Sequence, residues 1–300
     1  MADRGIHTEK HSEEQVKHID INQRKYDEAR EKASRDIDLL KMYLKKPYVV
    51  NDQITIYQPT IGQIIEFGDN KQYGEKEFYS TVNIFVSNPT SYRLQLWKMG
   101  IDWNKISDFE LFSMLVTGVH EDVQKILFGD NTNFKALKPY GLTVALTEEE
   151  KQEEKYAGQD SKTVMVLYDK EGQLIVDEET YQKIVNYMRV MFNIFPKVEK
   201  AKGRTTKEWI IQEEEEKLAL GKKNKETSML LPLISSCINH PGFKYRASEL
   251  DNVGIVEFMD AVQRLQVYEN TRALLTGSMS GFADCSKVSK EEFNFMRSLI

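Results

Sequence analysis

Ser107-Asp108-Phe109-Glu110-Leu111-Phe112-Ser113-Met114-Leu115-Val116-Thr117-Gly118 is the stretch that decides the fold class. Ser107 and Glu110 stand three apart, as in a capping box, where a hydroxyl and a carboxylate each satisfy an otherwise orphan amide at a helix start. Phe109, Leu111, Phe112, Met114 and Leu115 follow as a core-packing stripe, and Gly118 ends the element. The same pattern extends upstream and downstream. Pro59-Thr60-Ile61-Gly62 opens a run of short helices, expected at about 61–66, 75–86, 90–99, 107–117 and 120–128 and punctuated by Gly68, Asn88-Pro89, Gly100, Gly118 and Gly129. The chain reads as mainly α with small β inserts: a multi-helix scaffold with short hairpins.

Toward the N-terminus, Ser12-Glu13-Glu14-Gln15 fits a second capping box. Apolar positions then recur at Val16, Ile19, Tyr26, Ala29, Ala33, Ile37, Leu40 and Leu44, which predicts one amphipathic helix over 12–46. Its narrow stripe suits a coiled-coil seam, a helix laid on a partner, or packing on its own domain. Pro47 stops it, and Tyr48–Val50 and Gln53–Tyr57 flank Asn51-Asp52 as a short hairpin. Farther on, Phe134–Leu137 and Leu142–Leu146 read as strands around Lys138-Pro139-Tyr140-Gly141. Val164–Tyr168 and Leu174–Val176 flank Asp169–Gln173 as another hairpin. Helices are then expected from Asp177-Glu178-Glu179 to Pro196, from a Thr205-Thr206-Lys207-Glu208 cap through Glu213–Glu216, over Met229–Asn239, over Asn252–Leu275, and from Ser289-Lys290-Glu291-Glu292 to Ile300. The expected organisation is an N-terminal helical arm (1–46), a helical domain with a short hairpin (47–132), a small β insert (133–176) and a C-terminal helical domain (177–300).

Composition removes whole classes of function. Net charge is -6, from 41 basic and 47 acidic residues, so no global positive field draws the chain to nucleic acid. Gly 16 and Pro 7 are too few for a turn-dense β sandwich. Met1–Glu14 has no apolar segment of the secretory type, and Met229–Ile234 falls far short of the roughly 20 residues that span a bilayer. Cys237 and Cys285 stand in no paired motif, which excludes a disulfide framework or a Cys-based zinc site. Neither GxGxxG nor GxxxxGK[ST] occurs, so no phosphate-cradling loop or nucleotide cofactor is expected. His7, His11 and His18 lack a His-Glu-x-x-His arrangement, and no metal is expected there. His120 begins a helix and His240 precedes a Pro241-Gly242 turn.

Two constellations carry potential chemistry. Cys237 and His240 stand three apart at a helix end, close enough to form a thiolate–imidazole nucleophile. No orienting residue or oxyanion loop accompanies them, and a structural role is preferred. Lys197, Lys200, Lys202, Arg204 and Lys207 beside Trp209 form a basic patch suited to phosphates. Glu213–Glu216 follows within two turns and cancels much of that field. The runs Glu148–Lys155 and Glu213–Lys225 read as solvated faces or linkers.

Leu230-Leu231-Pro232-Leu233-Ile234-Ser235-Ser236-Cys237-Ile238-Asn239-His240-Pro241-Gly242, the stretch Asp251–Gln266, the late Gly277-Ser278-Met279-Ser280-Gly281-Phe282-Ala283-Asp284, and Gln58–Ile65 with the following Glu66–Ser87 carry a family likeness. Over roughly two thirds of its length the chain resembles tail assembly chaperone-like proteins encoded in tail-gene regions of bacteriophages that infect Gram-positive bacteria. The resemblance implies a non-enzymatic tail-morphogenesis protein of the host cytoplasm that binds tape-measure or tube subunits. The alternative is a structural virion subunit such as a baseplate or tail-completion protein, present in purified particles at fixed copy number where a chaperone is absent. Homo-oligomerisation stays open. The partner-binding residues expected are Tyr26, Ile37, Leu40 and Leu44 on the arm and Ile255, Phe258, Met259 and Val262 on the long C-terminal helix. Their spacing fits a partner contact and a core stripe equally.

Overall fold

The computed structural model describes residues 25–67, 74–130, 132–147, 149, 160–171, 173–221, 228–281 and 288–297. The capping box at Ser12–Gln15, Val16, Ile19, the three N-terminal histidines, Gly68, Glu148, Glu150–Lys155, Lys222–Lys225, Phe282–Asp284 and Cys285 lie outside the described residues. The protein is mainly helical with two small sheets.

The described part of the arm is not one helix. Helix α1 (25–34) ends in a turn, and α2 (Leu39–Tyr43) restarts after it. The reason is local. Asp38 adopts an extended backbone and its Oδ1 accepts the Lys41 N–H at 3.0 Å, an N-cap that competes with helix continuation. The restart turns Ala33, Ile37 and Met42 into the core. Strands β1 (Tyr48–Val49) and β2 (Thr55–Ile56) follow as an antiparallel hairpin, with Asn51 Oδ1 accepting from the amides of Gln53 and Ile54.

Helices α3 (Ile61–Ile65), α4 (Gly74–Val86), α5 (Arg93–Lys98), α6 (Asp108–Leu115) and α7 (Glu121–Phe128) come next, close to the expected bounds. Ser107 and Glu110 make the capping box, at 3.1 and 2.7 Å. A 3-10 turn at Pro89–Tyr92 leads into α5. Phe134–Leu137 is not a strand: a 3-10 turn spans Phe134–Ala136. The buried Gln124 amide donates to Thr132 O and accepts from Phe134 N–H, both at 2.6 Å, so the loop is pinned and Phe134 sits 4.5 Å from Phe128 and 5.2 Å from Phe85, centroid to centroid. Lys138-Pro139-Tyr140-Gly141 is not a turn but the first half of β3 (Lys138–Ala145). That strand pairs antiparallel with β4 (Ser161–Tyr168), which pairs with β5 (Ile175–Val176). Pro139 is accommodated because β3 is an edge strand.

Helix α8 (Glu178–Phe192) occupies the centre. Asp177 caps it through the Thr180 N–H at 2.8 Å, and Asn193 ends it in the left-handed region at φ 54. Tyr181, Ile184, Val185, Tyr187, Met188, Val190, Met191 and Phe192 are all buried. Arg189 donates to Val86 O at 2.9 Å and to Asp108 Oδ2 at 2.8 Å, joining the end of α4 to the start of α6. One hydrophobic core runs from Ala33 to Val262, so residues from all four expected regions pack together.

Helix α9 (Arg204–Gly221) begins at Arg204, ahead of the expected Thr205 cap. Helix α10 (Leu230–Ile238) holds Pro232 in its first turn, where the ring removes no intrahelical bond. Helix α11 (Ile255–Ser280) continues past Leu275 to Gly281, whose φ of 71 closes it. The bridge Thr60–Gly254, with Ile61 N–H on Val253 O and Ile255 N–H on Pro59 O, ties α11 to α3. The expected last helix is a 3-10 turn, Lys290–Phe293, capped by Ser289. Its carbonyls are taken by α11 instead: Thr271 Oγ1 donates to Glu292 O, and Arg264 donates to Phe295 O and Arg297 O.

Helix α9 is attached differently from the rest. A second, small core of Leu94, Leu96, Trp103, Leu111, Ala201 and Ile211 underlies it. Around that core, Arg93 binds Glu214 at 2.6 Å and Glu199 at 2.7 Å, Lys207 binds Asp102 at 2.6 Å, and Lys98 binds Glu215 at 3.1 Å. The hydrogen bond from Lys207 holds the Asp102 carboxyl below its usual 3.8, and the hydrogen bonds from Lys197 and Arg93 hold Glu199 below 4.5. Carboxylates lowered in the folded state contribute stability that is present above their unfolded values and lost as pH falls through the folded ones. Acidification below pH 4.5 is therefore expected to release α9 before the main core. Hydrogen exchange across a pH series should show 204–221 losing protection while 178–192 keeps it, and simultaneous loss would contradict this.

Candidate functional site

The expected partner residues divide into two sets. Ile255, Phe258 and Val262 are buried in the main core, Met259 packs against it, and Ile37 is buried as well. Ile37, Ile255 and Phe258 are committed to the core, whereas Met259 and Val262 lie at its margin. The reason is that α11 lies on α8 along this stripe. Tyr26 is half-buried: its hydroxyl donates to Asn193 Oδ1 at 2.7 Å and its ring meets Phe195 edge-on at 5.2 Å. Leu40 and Leu44 are open, at 68% and 56% exposure, and with Tyr43 they form an apolar face on α2.

A larger open apolar surface lies where α10 meets α11. The amide of Met229 donates to the buried Glu75 Oε1 at 2.6 Å, which fixes the start of α10 on α4. Leu230 and Cys237 then face inward, with Leu233 and Ile234 packed partly against the core. Met229, Leu231 and Ile238 face outward, with Leu231 62% exposed. Between the helices runs a groove of about 500 Å³, floored by Leu233, Cys237, Val262 and Leu265 and rimmed by His240 and Glu269. Phe258, Val262, Leu265 and Glu269 stand at i, i+4, i+7 and i+11 of α11, so the stripe that seals the core runs on into the groove. Tyr245 holds the intervening loop: its hydroxyl donates to Glu257 at 2.5 Å, which pushes the phenol up to about 12.

Cys237, His240 and Glu269 meet at this groove, but they do not form an activated thiol. Burial pushes the Cys237 thiol up. His240 Nδ1 accepts the Gly242 N–H at 3.0 Å, which places the ring proton on Nε2, 3.4 Å from Glu269 Oε1. Both ring nitrogens are engaged elsewhere, so neither is aimed at the sulfur. Three of the five cations of the basic patch are likewise paired within the chain. Lys207 binds Asp102 and lies 5.5 Å over Trp103, Arg204 binds Glu208 at 2.9 Å, and Lys197 pairs with Glu199. His120 caps α7 by accepting the Asp122 N–H at 3.3 Å. Among the described residues no three His, Cys, Asp or Glu side chains are grouped to hold a metal, and no helix is long and apolar enough to cross a membrane.

Sequence reasoning passed over α10 as an outward surface and Glu269 as its rim. A signal was present. Leu230-Leu231 and Leu233-Ile234 are adjacent apolar pairs, and adjacent residues on a helix cannot share one face. A scan against protein families and searches of curated proteins and of solved structures find no match to this chain.

The thiol geometry gives a direct expectation. Cys237 should react with a disulfide reagent at least about tenfold more slowly in the folded protein than in denaturant, because only the exposed thiolate attacks. Fast reaction in the native state, lost on His240→Ala, would instead mark an activated pair.

Proposed function

We propose that this chain is a non-enzymatic binding scaffold for phage tail morphogenesis, holding a partner by a helix laid on the outward apolar face of α10. The observation that carries the reading is the second apolar face of α10. Leu231, Met229 and Ile238 stay in water although α10 is already anchored by Leu230, Cys237 and Glu75. Burying one such leucine contributes about 1.5–3 kcal/mol, so a partner side chain laid on this face has a ready source of affinity. Helix-in-groove recognition needs apolar anchors at i, i+3 or i+4 and i+7, and Leu231, Ile234 and Ile238 supply that spacing from the scaffold side.

The tail setting rests on the family resemblance, which makes tape-measure or tube subunits the partners and the host cytoplasm the place of action. A chaperone of this kind covers apolar surface on a partner until assembly. The many exposed charges of α9 and α11 would keep such a complex in solution.

Co-expression with the tube and tape-measure proteins of the same phage tests the reading. One of them is expected to be retained, and Leu231→Asp should weaken retention at least tenfold, or about 1.4 kcal/mol, without changing the melting temperature. Phe258→Ala is the contrasting variant: it should cost about 3–5 kcal/mol of stability as a core deletion. Retention of neither protein, or retention indifferent to Leu231→Asp, overturns the proposal.

A further inference from the structure

Helix α9 carries a second surface that the groove does not explain. Lys207, Ile210, Ile211 and Glu214 turn toward the body, at i, i+3, i+4 and i+7, with Glu215 beside them reaching Lys98. Trp209, Glu213, Glu216 and Leu220, at i, i+4, i+7 and i+11, line the opposite face. Trp209 is 74% exposed, and none of the described residues stacks on it. Thr206, Trp209, Ile210, Gln212, Glu213 and Glu216 border a cleft of about 410 Å³ along this face.

The charges of the helix are divided between its two sides. Glu214 and Glu215 turn to Arg93 and Lys98 and fasten the helix. Glu213 meets Lys217 at 2.6 Å and Glu216 accepts from Gln212 at 3.2 Å, both at the surface along the helix itself. Exposed i,i+4 pairs of this kind contribute only about 0.3–0.5 kcal/mol, so an incoming cation displaces them at little cost. An indole face attracts cations through its quadrupole, and large exposed aromatic side chains are where binding energy concentrates at interfaces. Leu220 lies about 16 Å farther along the helix axis and gives an apolar end point.

The geometry points to a docking site for a basic amphipathic helix of a partner protein, with one Lys or Arg over Trp209, its neighbours on Glu213 and Glu216, and an apolar residue on Leu220. The site is separate from the α10–α11 groove and does not depend on the occupant of that groove.

The test uses the full chain carrying Leu231→Asp, which takes the outward face of α10 out of the readout, and a fluorescently labelled helical peptide of Leu and Lys. A matched peptide with each Lys replaced by Glu is the control. The Lys peptide is expected to bind, more weakly as salt rises, and the Glu peptide to bind at least tenfold more weakly. Trp209→Ala, and separately Glu213→Lys with Glu216→Lys, should each lower affinity at least tenfold, whereas Trp209→Phe should retain most of it. Four results would overturn the assignment: no binding of the Lys peptide, equal binding of the Glu peptide, affinity unchanged by Trp209→Ala, or self-association in sedimentation that Trp209→Ala abolishes. The last would make the occupant a second copy of the chain.

Discussion

The structure depends on the burial of α8. Eight of its fifteen residues are buried, on nearly all sides, and α4, α6, α11 and β5 all pack on it. A helix so placed cannot leave a charged side chain unpaired, because the low dielectric would make an isolated charge costly. Arg189 resolves this by binding the carbonyl of Val86 and the carboxylate of Asp108. The same side chain therefore closes α4 and anchors the first turn of α6. Tyr181 stacks on Phe112 at 4.9 Å, and Phe112 lies 5.2 Å from Phe85, so the aromatic centre and the ionic link occupy adjoining turns.

Surfaces become available where elements extend beyond this centre. Helix α11 begins as a core element at Ile255 and Phe258 and ends as a 26-residue rod flanked by α10 and by the segment 289–297. The groove is the place where its inward stripe runs past the body. Helix α9 never reaches the main core and sits on a small core of its own. Its outward face and its fastening face are thus chemically distinct, with the exposed indole on one and the ion pairs to Arg93 and Lys98 on the other.

Much of this was legible in the sequence. Ser107 and Glu110, Asp177, and the glycines at 118 and 129 signal their own helix ends, because capping is decided within four residues. The break at Asp38 was not legible, since the apolar period of three and four continues through it while a single carboxylate interrupts the backbone. Phe134 was misread as a strand residue because the deciding partner, Gln124, is ten residues away and its buried amide shows no pattern. The stripe at Ile255–Val262 had the right periodicity, but periodicity does not state what covers a face. Leu40 and Leu44 share that stripe type with Ile37, yet only Ile37 is covered. Trp209 shows the same limit: the run Glu213–Glu216 already argued against a nucleic-acid contact beside the basic patch, but nothing in the spacing showed that the indole stands in water.

The position of Pro139 affects how copies of this chain can meet. In β3 it lies on the outer edge of the three-stranded sheet, next to Lys138 and opposite Leu167. A strand from another molecule laid along that edge would find no amide donor at one position and a solvated ammonium beside it. The other edge is β5, only two residues long. Sheet extension, the usual route from an exposed strand to a fibre, is therefore opposed along β3, the longer of the two margins, whereas β5 covers only Leu167 and Tyr168 of β4.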